Sequence, residues 1–299
     1  MKKLILAVIA LIMTIGVASA QENMYVWKTD GSYVTFTVNE VDSIGFYMPE
    51  NIGGATSGIG VFSVSATKQV TFSKGNLQYQ ASTNKWRFAE LQYDYIGEAN
   101  KNISDTYSGW IDLFGWGTGK APTKTSTSVS DYSSFIDWGT NPISNGGNEA
   151  GLWRTLSSAE WVYLFNSRQN NTKLYGMGTI AGISGVILLP DNWENVKPSG
   201  VSFWSYSEGN NDDHFSDNTY TAKQWQDMED AGAVFLPAAG YRYGTSVSNT
   251  GSVSSYWSST QDDSGSAYLL DFDTSGLYPR SDSYRDFGFS VRLVQVLQN

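Results

Sequence analysis

The chain has 299 residues, a net charge of −10 and 16% charged residues, with no cysteine and one histidine. Without cysteine there is no disulfide framework, thiolate metal site or cysteine nucleophile. An acidic chain lacking basic clusters gains nothing from phosphate counterion release and is not drawn to anionic lipid, so nucleic acid and anionic membrane surfaces are argued against as partners.

Residues 1–20 begin with Lys2 and Lys3, continue through an apolar run from Leu4 to Val17, and end on Ala18-Ser19-Ala20. That is the pattern of a secretory signal peptide. No later stretch reaches the roughly 20 apolar residues of a spanning helix. The expectation is an exported protein, periplasmic, cell-surface or secreted, with no membrane insertion after cleavage. Residues 21–50 read as a small β-strand module: Tyr25 and Trp27, then Asp30-Gly31, then Val34, Phe36 and Val38 give a hairpin, with Val41, Ile44 and Phe46 as a third piece. Residues 51–60, NIGGATSGIG, are a flexible linker, and residues 61–299 form the main domain.

The main domain opens with short alternating runs at Phe62 and Val64, Val70 and Phe72, Leu77 and Tyr79, and Trp86 and Phe88, with Asn84-Lys85 at a turn. From Leu91 to Asn148 no helical period is present, and a long irregular stretch in a compact domain is functional or packed by its own side chains. Two capping boxes predict helices. Ser157 and Glu160 start one, with Trp161, Leu164 and Phe165 inward; Thr221 and Gln224 start the other, with Ala222, Trp225 and Met228 inward and Gly232 as the stop. Val186 to Leu189 is a buried strand. These elements predict an α+β domain, two helices on a twisted antiparallel sheet with long irregular loops.

From Ala233 onward, short apolar runs alternate with stretches of Tyr, Ser, Gly, Asp and Thr. Tyr gives amphipathic contact area at low entropic cost and Ser and Gly give adaptable hydrogen bonding, the chemistry of antibody paratopes. The predicted binding surface is Tyr243, Ser246, Ser248, Ser252, Tyr256, Asp262, Asp263, Tyr278, Arg280, Asp282, Tyr284 and Arg285, on loops between Tyr241 and Asp286. It mixes Tyr with Arg and no Lys follows Lys223, as in binding hot spots. Alternation along Ser254–Thr260 places Trp257 inward and Tyr256 outward. Asp271 and Asp273 flank Phe272 on a strand and read as solvent-facing. The polar stretch around His214 carries Asp212, Asp213 and Asp217, oxygen ligands suited to calcium, without the spacing of a strong calcium loop. A solvated acidic loop is the first reading there, with calcium the one candidate ion, and no other cofactor is expected. His214 lacks a nucleophile elbow nearby and reads as a loop histidine.

Three phrases carry a resemblance. WRTLSSAEWVYLF (Trp153 to Phe165) resembles a phrase of formylglycine-generating-enzyme-type domains. SSYWSST (Ser254 to Thr260) and FGFSVRLV (Phe287 to Val294) resemble phrases of the related paralogous domains of Fibrobacter and Bacteroidetes. The resemblance implies a C-type-lectin-like fold, shared with variable proteins of diversity-generating retroelements. The enzyme's oxidation relies on cysteines, so its activity does not carry over to a chain with none. The expectation is a non-catalytic display protein recognising a protein or glycan. The alternatives are a structural cell-surface or fimbria-associated subunit and, third, a glycan-active enzyme.

Overall fold

The computed structural model describes residues 23–27, 33–37, 60–209, 212–263 and 265–297. The stretches expected to form a signal peptide, a linker up to residue 59 and the third piece of the N-terminal module lie outside the described residues. The chain divides into two compact units, Met1–Ala55 and Thr56–Asn299.

In the first unit, β1 (Asn23–Trp27) pairs antiparallel with β2 (Tyr33–Thr37), with Trp27 opposite Tyr33. The two strands of the expected hairpin pair as foreseen, while Asp30-Gly31 lies outside the described residues.

The second unit begins with β3 (Phe62–Ser63), β4 (Gln69–Phe72), β5 (Leu77–Gln80), β6 (Lys85–Phe88) and β7 (Trp110–Ile111). Asn84, at φ 50°, makes the turn into β6. Then come β8 (Arg154–Thr155), α1 (Ser158–Asn166), β9 (Tyr175–Ile180), β10 (Ile183–Leu188), α2 (Trp193–Val196), β11 (Thr219–Tyr220) and α3 (Ala222–Asp230). The rest is strand: β12 (Val234–Pro237), β13 (Tyr241–Tyr243), β14 (Ser246–Ser248), β15 (Val253–Gln261), β16 (Ser266–Asp273), β17 (Gly276–Tyr284), β18 (Phe287–Gly288) and β19 (Leu293–Val296). The sheet orders are β3-β4-β19-β8, β6-β5-β7, β11-β9-β10-β12, β14-β13-β18 and β15-β16-β17. The closing strand β19 lies between β4 and β8, so the end of the domain is locked to its beginning.

This overturns the α+β C-type-lectin expectation. The domain is mostly β, with 17 strands in five small sheets, 35% strand against 19% helix, and short helices. The two capped helices do form, each nine residues long with its box complete. Trp161, Leu164, Phe165, Trp225 and Met228 are buried as expected, whereas Ala222 is exposed. The short helix α2 was not expected, and the helices are too few and too short beside the strands to make an α+β domain. The binding surface was placed on loops between Tyr241 and Asp286, but most of that span is strand: β16 was legible from Leu269, Leu270 and Phe272, whereas the polar alternation of β17 leaves no apolar signature.

Three apolar clusters form the core. One gathers Trp161, Leu164, Val186, Leu188, Tyr256, Leu270 and Phe272 under α1. A second holds Trp86, Phe114, Trp138, Trp257, Leu269 and Phe289, and a third packs Trp225 and Met228 of α3 on Ile187 and Phe235. β10 and β15 each stand between two clusters, so neighbouring residues on one strand are both buried.

Glu160 ties α1 to this frame. Its carboxylate accepts the Ser157 N–H at 2.9 Å, both terminal nitrogens of Arg154 at 2.7 and 2.8 Å, and Lys68 Nζ at 3.3 Å. Burial alone would raise its pKa, but these donors outweigh burial and hold it below the usual value. Glu160→Ala is expected to cost about 2–4 kcal/mol, from the lost cap and the stranded Arg154. The ionised form supplies this stability, so it is present above the ordinary carboxylate range and is lost as pH falls through the lowered folded value. Thermal melts from pH 7 to pH 3 check this: the gap between wild type and Glu160→Gln should narrow on acidification.

Candidate binding groove

The longest described strands, β15, β16 and β17, form one antiparallel sheet. Asp263 Oδ1 closes the β15–β16 turn by accepting the N–H groups of Gly265 and Ser266, both at 2.8 Å, and these bonds lower its pKa. Asp273 Oδ1 does the same for β16–β17, accepting from the Ser275 N–H at 2.8 Å and the Gly276 N–H at 3.1 Å. The β13–β14 hairpin has a two-residue loop with Gly244 at φ +58°, as a type II′ turn requires at that position. β18 pairs with β13, and the chain after it bonds to β15: Trp257 N–H donates to Ser290 O and Ser290 N–H to Ser255 O, each at 3.1 Å. Phe287 and Phe289 are thereby set beside the β15–β17 sheet.

Between the two sheets lies a groove of about 230 Å³, lined by Tyr241, Phe287 and Phe289 together with Val253, Leu269, Ser255, Asp271, Ser281, Asp282 and Ser283. One side is an aromatic stack. Phe287 and Phe289 are parallel with centroids 5.8 Å apart, and Tyr241 contacts both at 5.8 and 6.4 Å. The other contribution is polar: Ser255 Oγ donates to Asp271 Oδ1 at 2.7 Å. Burial raises the Asp271 pKa, the Ser255 hydroxyl lowers it in part, and nearby Asp273 raises it further. Asp271 is thus a half-buried carboxylate in a groove, where sequence reading placed it on an ordinary solvent face. The ring stack can take the C–H face of a ligand, and Asp271 can accept from ligand hydroxyls through charge-assisted bonds.

The sequence-predicted surface residues do not form one patch. Tyr278 and Tyr284 are 50% and 62% exposed on β17, and Arg280 and Asp282 are exposed between them. Leu269 is opposite Ser281 and Asp271 opposite Tyr278, so Leu270 faces two residues, Pro279 and Arg280. This bulge on an edge strand is where a proline is tolerated. It also splits the set. Tyr278 shares the sheet side of Asp271, while Tyr284 is opposite Ser266 on the other side; Asp282, opposite Tyr268, still lines the groove between Ser281 and Ser283. Arg280 sits 4.9 Å over the Tyr268 ring and bonds its hydroxyl at 3.3 Å.

Tyr243 is 43% exposed at the rim, its ring 4.8 Å from Phe287. Ser246 is exposed and Ser248 half-buried on β14, Ser252 is exposed before β15, and Asp262 and Asp263 are exposed at the β15–β16 turn. Two residues leave the surface altogether. Tyr256 has no exposure and Arg285 is 3% exposed, its guanidinium 5.6 Å from the Trp116 ring centroid. The outward reading of Tyr256 fails because β15 is covered on both faces, Tyr256 meeting one cluster and Trp257 the next.

The acidic stretch lies apart from the groove lining. Asp213 Oδ1 caps a short 3₁₀ turn by accepting the Phe215 N–H at 3.0 Å, Asp217 Oδ2 is 2.8 Å from His214 Nδ1, and Asp212 is exposed. Among the described residues no group of three acidic or histidine side chains is placed to hold a metal ion.

Of the groove lining, Asp282 alone belongs to the sequence-predicted set; Tyr241, Val253, Ser255, Leu269, Asp271, Ser281, Ser283, Phe287 and Phe289 were missed. A partial signal was available in the period-two spacing of Phe287 and Phe289. A family model described as Domain of unknown function (DUF8237) matches residues 201–294, a span containing every residue of the groove lining. No curated protein and no solved structure matches the chain.

Proposed function

We propose that the chain is an exported glycan-binding protein, acting without catalysis, whose ligand lies in the groove between β13–β18 and β15–β17. The observation that carries this reading is the ring stack of Tyr241, Phe287 and Phe289 in the same groove as the Ser255–Asp271 pair. A sugar ring offers both apolar C–H faces and hydroxyl donors, and this lining matches both. At about 230 Å³ the groove is smaller than the ~300–1,000 Å³ typical of drug-sized ligand sites, which suits one sugar-sized group. The exposed rings of Tyr243 and Tyr278 at the rim extend the contact to neighbouring sugars.

Asp271→Asn tests the reading. The amide still accepts from Ser255 but loses the charge, so affinity is expected to fall roughly 10- to 100-fold, the value of a hydrogen bond to a charged group. Burial raises the Asp271 pKa, so ionisation costs the fold stability at pH 7; the variant should melt at the same temperature or higher. Wild-type binding should strengthen as pH rises through the raised folded value. A glycan array followed by titration calorimetry measures both. Unchanged affinity in Asp271→Asn would place the ligand elsewhere.

A further inference from the structure

A second hollow, of about 260 Å³, opens in the irregular region between Trp116–Lys124 and Asp131–Ile136. Lys120 and Lys124 both line it, with Tyr132, Ser133 and Ser134. Neither lysine forms an ion pair among the described residues. Lys120 Nζ donates to Asn141 Oδ1 at 2.9 Å. Lys124 Nζ donates to the Asp131 backbone carbonyl at 2.6 Å and stands 5.0 Å from the Tyr132 ring centroid. These acceptors are neutral, so neither ammonium is paired with a carboxylate among the described residues, and the one carboxylate in the lining leaves the two lysines in excess. The acidic residue in the lining, Asp131, has its carboxylate bonded by Ser126 Oγ at 2.5 Å. Behind the hollow, the fully buried Arg242 donates to Lys124 O at 3.2 Å, and its charge acts on the lining residue Tyr132 against those of Asp131 and Asp286.

An ammonium carries three donors, so each lysine has donors to spare, and the exposed Ser133 and Ser134 add hydroxyls at the same mouth. The hollow also adjoins the groove through one short segment. Trp116 N–H donates to Arg285 O at 3.0 Å, and two residues later Phe287 lines the groove.

We propose that this hollow is an oxyanion subsite, taking a carboxylate or sulfate group carried by the same glycan that occupies the groove. The anion site stands on Lys120 and Lys124 alone; its attachment to a glycan rests on the function proposed above.

Two arms test it. In the first, amide NMR shifts are followed as sodium sulfate replaces sodium chloride at constant ionic strength, which removes general screening. Saturable shifts at Lys120, Lys124, Ser133 and Ser134 are expected, weakened at least tenfold in the Lys120→Gln/Lys124→Gln double variant. Glutamine keeps the length and hydrogen bonding of these partly solvated positions, and Lys120→Ala alone serves if the double variant does not fold. Shifts that do not saturate, or that survive loss of the lysines, overturn the proposal. In the second arm, the sulfated and desulfated forms of one oligosaccharide are titrated into the full chain. The sulfated form should bind at least tenfold tighter than sulfate ion, with the lysine variants removing only the preference for sulfation. Equal affinity of sulfated sugar and free sulfate would leave a free-ion site and overturn the link to the glycan. Asp271→Asn should leave the sulfate-ion shifts intact, so failure of the groove and failure of the anion site read out separately.

Discussion

Tyr256→Ala is expected to destabilise the domain by about 3–5 kcal/mol, the cost of emptying a buried aromatic site. For a domain of this size that corresponds to a fall in Tm of roughly 6–20 °C. The ring has no exposure, stacks on Phe272 at 6.1 Å, and belongs to the cluster under α1. Its hydroxyl accepts from Asn76 Nδ2 and donates to the Pro237 carbonyl, each at 3.0 Å. Burial raises its pKa, so it stays a neutral hydrogen-bonding phenol at any ordinary pH. Tyr256→Phe keeps the packing but leaves a buried amide and a buried carbonyl without this partner, at a cost of about 1–3 kcal/mol. Denaturant melts of the two variants separate the ring from the hydroxyl. A Tyr256→Ala protein with wild-type stability would mean the residue is at the surface after all.

Arg242→Met is expected to cost about 2–4 kcal/mol and, more specifically, to loosen the segment from Leu113 to Lys124. The guanidinium is fully buried and donates to three backbone carbonyls: Leu113 through Nε and Nη2 at 3.3 Å each, Lys124 through Nη2 at 3.2 Å, and Gly244 through Nη1. One side chain thus fastens the β13–β14 hairpin to a region without regular ladders. Burial lowers its pKa to about 10, and it remains a cation at neutral pH. Lysine cannot replace the planar fork, so Arg242→Lys should be destabilised as well. Hydrogen exchange gives the readout. Protection should fall in Leu113–Lys124 and at Gly244 before it falls in β15–β17. Uniform loss of protection would contradict this local role.

What could be read from the sequence was what short-range chemistry controls. Ser157 with Glu160 and Thr221 with Gln224 place two helix starts correctly, because a capping box is complete within four residues. Tyr256 was misread because strand alternation assigns one wet face, and nothing local shows that β15 is covered on both. β17 was hidden for the opposite reason. Tyr278, Arg280, Asp282 and Tyr284 give a polar alternation that looks like a loop until pairing with β16 makes it a strand. The groove was illegible because its chemistry is assembled across strands. Ser255 and Asp271 meet through the β15–β16 register, and Phe287 and Phe289 are brought to them by the pairing of β18 with β13, the bridge of Phe289 to Phe114 and the bonds between Ser290 and β15.

The central claim is that a glycan is held in the groove by the ring stack and the Asp271 carboxylate. The most direct test is calorimetric titration of the tightest array ligand into the wild-type protein and into Asp271→Asn. The account predicts an affinity loss of about 10- to 100-fold with Tm unchanged or raised. Equal affinity in the two proteins, or no glycan bound by either, would contradict it.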